Sequence, residues 1–90
     1  MLEKYDNTLN QWIEHIVAQG DDDALFASGY LQGHVTVALA QLEQEGVSGF
    51  DELQLKMQQS LQLASRELED ADFKLVQHAW HELSSQLIAC

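Results

Sequence analysis

Residues 24 to 42 contain no Asp, Glu, Lys or Arg, although the 90-residue chain carries fifteen acidic and four basic side chains. Three aspartates, residues 21 to 23, offer helix N-caps before this run, and Gly46 offers a stop after it. A helix without a charged face is buried among other helices or inserted in a membrane. Several polar side chains in the run argue against insertion, because each is costly in lipid. These are Ser28, Gln32, His34, Thr36 and Gln41. The sequence therefore predicts a largely buried second helix that touches neighbours on more than one side.

Three further segments repeat apolar residues at intervals of three and four, which is typical of a helix that buries one face. The first contains Leu2, Tyr5, Leu9, Trp12 and Ile16, the third Leu53, Met57, Leu61 and Ala64, and the fourth Val76, Ala79, Trp80, Leu83 and Leu87. We expect Gly20 to end the first helix in a left-handed conformation and Asp51 to cap the third. Residues 67 to 70, ELED, are expected to form a turn or cap before the fourth helix.

The lack of any sustained period-two alternation argues against a sheet, and short connections without proline fit consecutive antiparallel helices. A chain of 90 residues has room for one core. We therefore predict an all-α fold, an antiparallel four-helix bundle in which residues 1–90 form a single domain.

The only cysteine, Cys90, is the last residue, so an internal disulfide framework is excluded and an exposed thiol is expected. The first twelve residues mix charged and apolar side chains and lack the apolar stretch of a signal peptide. Both observations favour the cytoplasm as the compartment.

A strip of small residues follows one face of the predicted second helix. It consists of Gly29, Gly33, Thr36 and Ala40. Each glycine costs a helix interior about 1 kcal/mol relative to alanine, so two of them require a reason. Close packing against a neighbouring helix offsets that cost through extra dispersion contacts, and it is the prediction made for this strip. The alternative is a ligand that rests on the exposed backbone.

The formal charge of the chain is -11, and no cluster of basic residues occurs in it. Direct binding to nucleic acid or to anionic membranes is therefore not expected, whereas a partner with a basic surface would be attracted. Many of the acidic residues lie at predicted helix starts, where they meet the positive end of the helix dipole. Three adjacent aspartates exceed the needs of one cap, and two glutamates lie at the unfavourable end of the second helix. The predicted partner-binding residues are Asp21, Asp22, Asp23, Phe26, Tyr30, His34, Glu43 and Glu45.

The histidines offer a second interpretation. His78 and His81 are three residues apart with Glu82 adjacent, and His34 lies one turn after Tyr30. A metal site needs further ligands, and no Glu-x-x-His pair of the di-iron type occurs. No nucleophile or phosphate-loop motif is present, so we expect no enzyme activity, no metal and no cofactor. The alternatives to an interaction module are a metal- or small-molecule-binding bundle and a DNA mimic, against which the clustering of charge at helix ends argues.

The segment DDDALFASGYLQGH resembles the signature of the YfcL family, a group of small bacterial proteins of uncharacterised function, and a weaker similarity extends over nearly the whole chain. The residues that carry it are Leu25, Phe26, Ala27, Ser28, Gly29, Tyr30, Leu31, Gly33 and His34. The resemblance implies an all-helical bacterial cytoplasmic protein and supplies no catalytic residue, substrate or cofactor. On the residues alone, we predict an acidic interaction or adaptor module that docks a basic or amphipathic segment, as a monomer or a weak homodimer.

Overall fold

The computed structural model describes residues 2–47 and 49–89, and every described element is an α-helix. In chain order these are α1 (Glu3–Gln19), α2 (Asp22–Glu45), α3 (Phe50–Glu67) and α4 (Asp70–Ile88). The predicted all-α four-helix bundle is confirmed. Cys90, for which we expect an exposed thiol, lies outside the described residues.

The helices form a flattened bundle that measures 35 × 30 × 17 Å between Cα atoms. The α2 and α4 helices form the central pair, and α1 and α3 each pack against both of them. Within residues 2–47 and 49–89, α1 and α3 do not come within 8 Å of each other at any pair of Cα atoms. Because α2 packs against all three other helices, the prediction that it touches several neighbours is confirmed. The helix is less buried than predicted, because one side of it, which includes Gly29, Gly33 and Val37, is exposed.

The core is built from apolar side chains of all four helices at the predicted spacing. Its most deeply buried members include Leu9, Leu31, Val35, Leu42, Leu53, Met57, Val76, Leu83 and Leu87. Both tryptophans are buried, and so is Ser28, whose hydroxyl donates to the carbonyl oxygen of Leu25 at 3.1 Å. No buried side-chain polar atom among the described residues lacks a hydrogen-bond partner. None of the helices in the described part of the chain is long and apolar enough to cross a membrane.

Two helix termini match the sequence prediction at the level of individual bonds. Asp21 caps α2, and its Oδ1 accepts a hydrogen bond from the backbone N–H of Ala24 at 2.9 Å. At the other end Gly46 has φ of 73°, and Val47 N–H donates to the carbonyl oxygen of Leu42. This arrangement is a Schellman motif, which requires the left-handed conformation that glycine adopts without strain.

Two other termini differ from the prediction. Gly20 ends α1 in an extended conformation, with φ of -77° and ψ of 154°, so the predicted left-handed stop is wrong. Its N–H still satisfies the carbonyl oxygen of Ile16, at 2.6 Å. The N-cap of α3 is Gly49, and Asp51 lies in the first helical turn, where its charge faces the positive end of the helix dipole.

The predicted close packing of Gly29, Gly33, Thr36 and Ala40 is wrong. All four residues are exposed, and a Cβ atom added to either glycine would meet no neighbouring atom within 4 Å. The opposite side of α2 carries Leu31, Val35 and Leu42, which are fully buried. Burial of these larger side chains removes more apolar surface from water, so they decide which side of α2 faces the core. We use the name α2 outer face for the exposed residues Phe26, Gly29, Gly33, Val37 and Ala40.

Candidate functional site

A groove of about 440 Å³ lies where the first turns of α1 pass the second half of α2. Its lining residues are Leu2, Glu3, Asp6, Thr36, Leu39, Ala40, Glu43, Gly46 and Val47. Residues from the start of α1 and from the end of α2 line the same groove because the two helices are antiparallel. We call this feature the α1–α2 groove.

The α1–α2 groove combines an apolar floor with an acidic rim. Leu2, Leu39 and Val47 supply the apolar part, and Glu3, Asp6 and Glu43 supply three carboxylates. None of the described residues that line the groove is Lys or Arg. Like charges close together repel one another and create a negative potential that attracts a cation. The groove therefore suits a ligand that combines apolar groups with positive charge.

The α1–α2 groove is continuous with the α2 outer face. Thr36 and Ala40 line the groove, and Gly33 and Gly29 continue the same strip towards the start of the helix. Exposed apolar side chains border the strip, since Val37 is 57% and Phe26 is 40% exposed. Residues 24 to 42 carry no Asp, Glu, Lys or Arg, although the chain has a formal charge of -11. The exposed side of α2 therefore differs from the rest of the surface in its lack of charge, as interaction sites often do.

A column of three rings, Phe26, Tyr30 and His34, runs along α2. The Phe26 and Tyr30 ring centroids are 6.2 Å apart, and those of Tyr30 and His34 are 4.7 Å apart. Tyr30 Oη donates a hydrogen bond to Glu67 Oε2 at 3.3 Å, which ties the column to the end of α3. Partial burial, followed by the charge and hydrogen bond of Glu67, raises the pKa of Tyr30 above its ordinary value of 10.0. Tyr30 is therefore held in place by Glu67 and keeps its proton at neutral pH.

A second groove, of about 230 Å³, lies between the end of α1, the start of α2 and the middle of α4. It is lined by Trp12, Ile16, Asp21, Asp23, Ala24, Ala27, Leu75, His78, Ala79 and Glu82. Trp12 Nε1 donates to Glu82 Oε1 at 3.2 Å, so the carboxylate is held at the N–H edge of the indole. We call this feature the Trp12 groove.

The eight predicted partner-binding residues do not surround a single groove. Asp21 and Asp23 line the Trp12 groove, Glu43 lines the α1–α2 groove, and Asp22 is exposed at the start of α2. Phe26, Tyr30 and His34 form the ring column.

Glu45, also predicted to bind a partner, already has an ionic contact within the chain. Its Oε2 lies 2.8 Å from Lys56 Nζ, and this ion pair links the end of α2 to the start of α3. The hydrogen bond from Lys56 gives Glu45 a structural role. Of the two glutamates at the end of α2, Glu43 is therefore the one that faces a groove.

The histidine interpretation finds little support in the described geometry. His78 Nε2 is 4.0 Å from Glu82 Oε2, and the His78 side chain is 80% exposed. Residues 2–47 and 49–89 contain no group of three His, Cys, Asp or Glu side chains that could hold a metal ion together. A structural metal site normally needs four ligands, so the two histidines of α4 do not define one.

Sequence reasoning missed Glu3 and Asp6 as site residues because no local pattern distinguishes them from other acidic residues near a helix start. The signal that locates them is the antiparallel order of the bundle, which brings the start of α1 to Glu43. Glu82 was considered only as a neighbour of two histidines. Its bond to Trp12 spans 70 positions of the chain, and no local pattern reveals such a contact.

The fold and the two grooves define a small, strongly acidic helical bundle with partly apolar surface grooves. The chain belongs to the YfcL family, since the family model described as YfcL protein matches residues 3–85. The uncharacterized protein YfcL of Escherichia coli (strain K12) is 35% identical over 88 residues, which cover 96% of each chain. No solved structure gives a significant match. The resemblance noted in the sequence is thereby confirmed, and function has to be argued from the surface itself.

Proposed function

We propose that this protein is an interaction module that docks a basic amphipathic helix of another protein, in the cytoplasm and without catalysis of its own. The observation that carries the proposal is the α1–α2 groove, in which an apolar floor is bordered by Glu3, Asp6 and Glu43, with no Lys or Arg among the described residues that line it. Helix-in-groove recognition places apolar side chains in such a groove and uses the charged rim for orientation.

The α2 outer face explains how a helix would approach. With no Cβ atoms at Gly29 and Gly33, a partner backbone can lie close to α2 along this strip. Val37 and Phe26 provide apolar contacts on the same face. Because residues 24 to 42 are uncharged, no charge has to be desolvated along most of this contact.

Acidic residues near both ends of the uncharged run favour a basic partner over a second copy of the chain. Asp22 is exposed at the start of α2 and Glu43 near its end. Two copies packed through this face would bring carboxylates together in either orientation, whereas lysines or arginines on a partner helix would be attracted. A heterologous basic segment is therefore the proposed occupant.

The test uses a synthetic helical peptide of leucine and lysine in which the leucines recur every three to four residues. Binding of the fluorescently labelled peptide to the full chain is measured by anisotropy. We expect binding that weakens with salt, and about three- to tenfold weaker binding for the double variant Asp6→Asn, Glu43→Gln. The matched control is Glu14→Gln, Glu52→Gln, which removes two exposed carboxylates from α1 and α3 outside the groove.

A scrambled peptide of the same composition separates recognition from simple charge attraction. Equal binding of both peptides, or equal loss in the groove variant and the control variant, would contradict the proposal. Ala40→Gln adds bulk at an exposed groove position without changing charge, and it should also weaken binding of the amphipathic peptide.

A further inference from the structure

The Trp12 groove differs from the α1–α2 groove in size. Its volume is about 230 Å³, which is below the range of about 300 to 1,000 Å³ for small-molecule pockets. Trp12, Ile16 and Leu75 form its apolar part together with three alanines. This space suits one long side chain and is too small for a drug-sized ligand.

Three carboxylates from separate parts of the chain converge on the Trp12 groove. Asp21 comes from the connection before α2, Asp23 from its first turn and Glu82 from α4. His78 is the remaining titratable side chain in the lining, and no Lys or Arg is present there. The groove therefore complements a single organic cation in charge.

Two of these carboxylates are held in position by hydrogen bonds that use one oxygen each. Asp21 Oδ1 accepts the N–H of Ala24 at 2.9 Å, and Glu82 Oε1 accepts the indole N–H of Trp12 at 3.2 Å. The second oxygen of Glu82, Oε2, lies 4.0 Å from His78 Nε2. Each carboxylate can still accept further hydrogen bonds, because a carboxylate has about four acceptor sites. Fixed carboxylates lose little freedom when a cation binds, which favours binding.

We propose that the Trp12 groove binds the side chain of one arginine from a docked partner segment. The apolar stem of an arginine matches the floor of Trp12, Ile16 and Leu75, and its planar guanidinium carries five donors for the surrounding carboxylates. Lysine offers a smaller and more strongly hydrated charge, so it fits the same groove less well. The inference rests on the proposed docking function and names a second anchoring point, built from different residues.

The test is a titration of the 15N-labelled full chain with N-acetyl-arginine amide, followed by NMR. The indole N–H of Trp12 reports on the groove directly because it is bonded to Glu82, and the indole of Trp80 serves as the internal reference. We expect a saturable shift of the Trp12 resonance. N-acetyl-citrulline amide, which has the same shape without the charge, should produce no saturable shift.

The variant Asp23→Asn should weaken binding of N-acetyl-arginine amide about threefold or more, since it removes one of three carboxylates. Asp22→Asn is the matched control, because Asp22 is the adjacent exposed aspartate and does not line the groove. N-acetyl-lysine amide should bind more weakly than the arginine probe. Equal effects of the two Asp→Asn variants, or equal shifts with arginine and citrulline probes, would overturn the inference.

The outcomes of this test and of the peptide test are separable. Loss of amphipathic-peptide binding in the Asp6, Glu43 variant concerns the α1–α2 groove, whereas the Trp12 shift with the arginine probe concerns the other groove. An arginine response without peptide binding would support the Trp12 groove and contradict the proposed docking surface. Peptide binding without an arginine response would support the proposed docking surface and contradict the inference about the Trp12 groove.

Discussion

Trp12 on α1 donates its indole N–H to Glu82 on α4 at 3.2 Å. Trp12 is only 3% exposed, whereas 46% of the Glu82 side chain remains accessible. The bond therefore joins a core residue to a surface carboxylate and attaches the middle of α1 to the final helix. It also fixes one wall of the Trp12 groove.

Removal of this acceptor should destabilise the bundle. Glu82→Leu leaves the buried indole N–H without its protein partner, and we expect a loss of about 1 kcal/mol, since water replaces part of the bond. Glu82→Gln keeps a carbonyl oxygen that can accept the indole N–H, so it should lose less stability than Glu82→Leu. Urea unfolding followed by circular dichroism measures both variants, with Glu14→Leu as a control for replacing an exposed glutamate on a helix. Equal stability of Glu82→Leu and the parent chain would show that the bond contributes nothing.

The exposed glycines of α2 predict a gain of stability on substitution. Gly33→Ala adds a methyl group that meets no atom within 4 Å, so only helix propensity should act, and the gain should approach 1 kcal/mol. Gly29→Ala should behave in the same way. A higher urea midpoint for both variants is the expected result. A lower midpoint that depends on protein concentration would indicate that a second copy covers the strip.

Gly46 should respond in the opposite direction. Its φ of 73° lies in the left-handed region, and alanine at this position would be strained although space is open around it. Gly46→Ala should therefore lower the free energy of unfolding by about 1 kcal/mol. The same urea titration compares Gly46→Ala with Gly33→Ala. If both variants changed the free energy of unfolding in the same direction, the assignment of the two glycines to different backbone conformations would be contradicted.

We predict that deprotonation of Tyr30 lowers the stability of the folded chain at alkaline pH. Burial and Glu67 raise the pKa of Tyr30 above 10.0, so the folded chain holds this proton more tightly than the unfolded chain. The resulting stability is fully present below pH 10.0 and disappears as the pH rises through the pKa of Tyr30 in the folded state. As the pH rises above 10.0, the parent chain should lose more stability than Tyr30→Phe, as measured by urea unfolding. Glu67→Gln should bring the pKa of Tyr30 closer to 10.0 in a tyrosinate absorbance titration.

Divalent metal ions should not stabilise the chain. A site that binds only the folded state would raise the melting temperature in proportion to its affinity. Because the described residues hold no group of three suitable ligands, we expect no change with zinc, manganese or iron. A rise of several degrees with zinc that is lost in His78→Ala would instead support the metal-binding alternative.

The bundle could be predicted from sequence because its core positions repeat with the helical period. Leu9, Leu53 and Leu83 all belong to such patterns, and all three are buried. The caps at Asp21 and Gly46 were equally predictable, since each depends on one side chain or one backbone conformation. These features are local, and a local pattern is sufficient to identify them.

The exposed side of α2 could not be predicted in the same way. Residues 24 to 42 lack charge on every side, so the usual signal for the solvent face was missing. Small residues were assigned to the helix interface, whereas the structure places Leu31 and Val35 there. The grooves depend on which helix ends meet, and Asp6 and Glu43 are brought together by the antiparallel order of the bundle.

The separation of α1 from α3 by the central pair has a consequence for local unfolding. Each outer helix packs against α2 and α4, and within the described part of the chain no Cα atom of one outer helix lies within 8 Å of a Cα atom of the other. Detachment of α1 would break the Trp12 bond and open both grooves, while the Lys56–Glu45 and Tyr30–Glu67 contacts of α3 stay intact. The two outer helices can thus open as independent units, and amide hydrogen exchange in α1 reports on the grooves separately from exchange in α3.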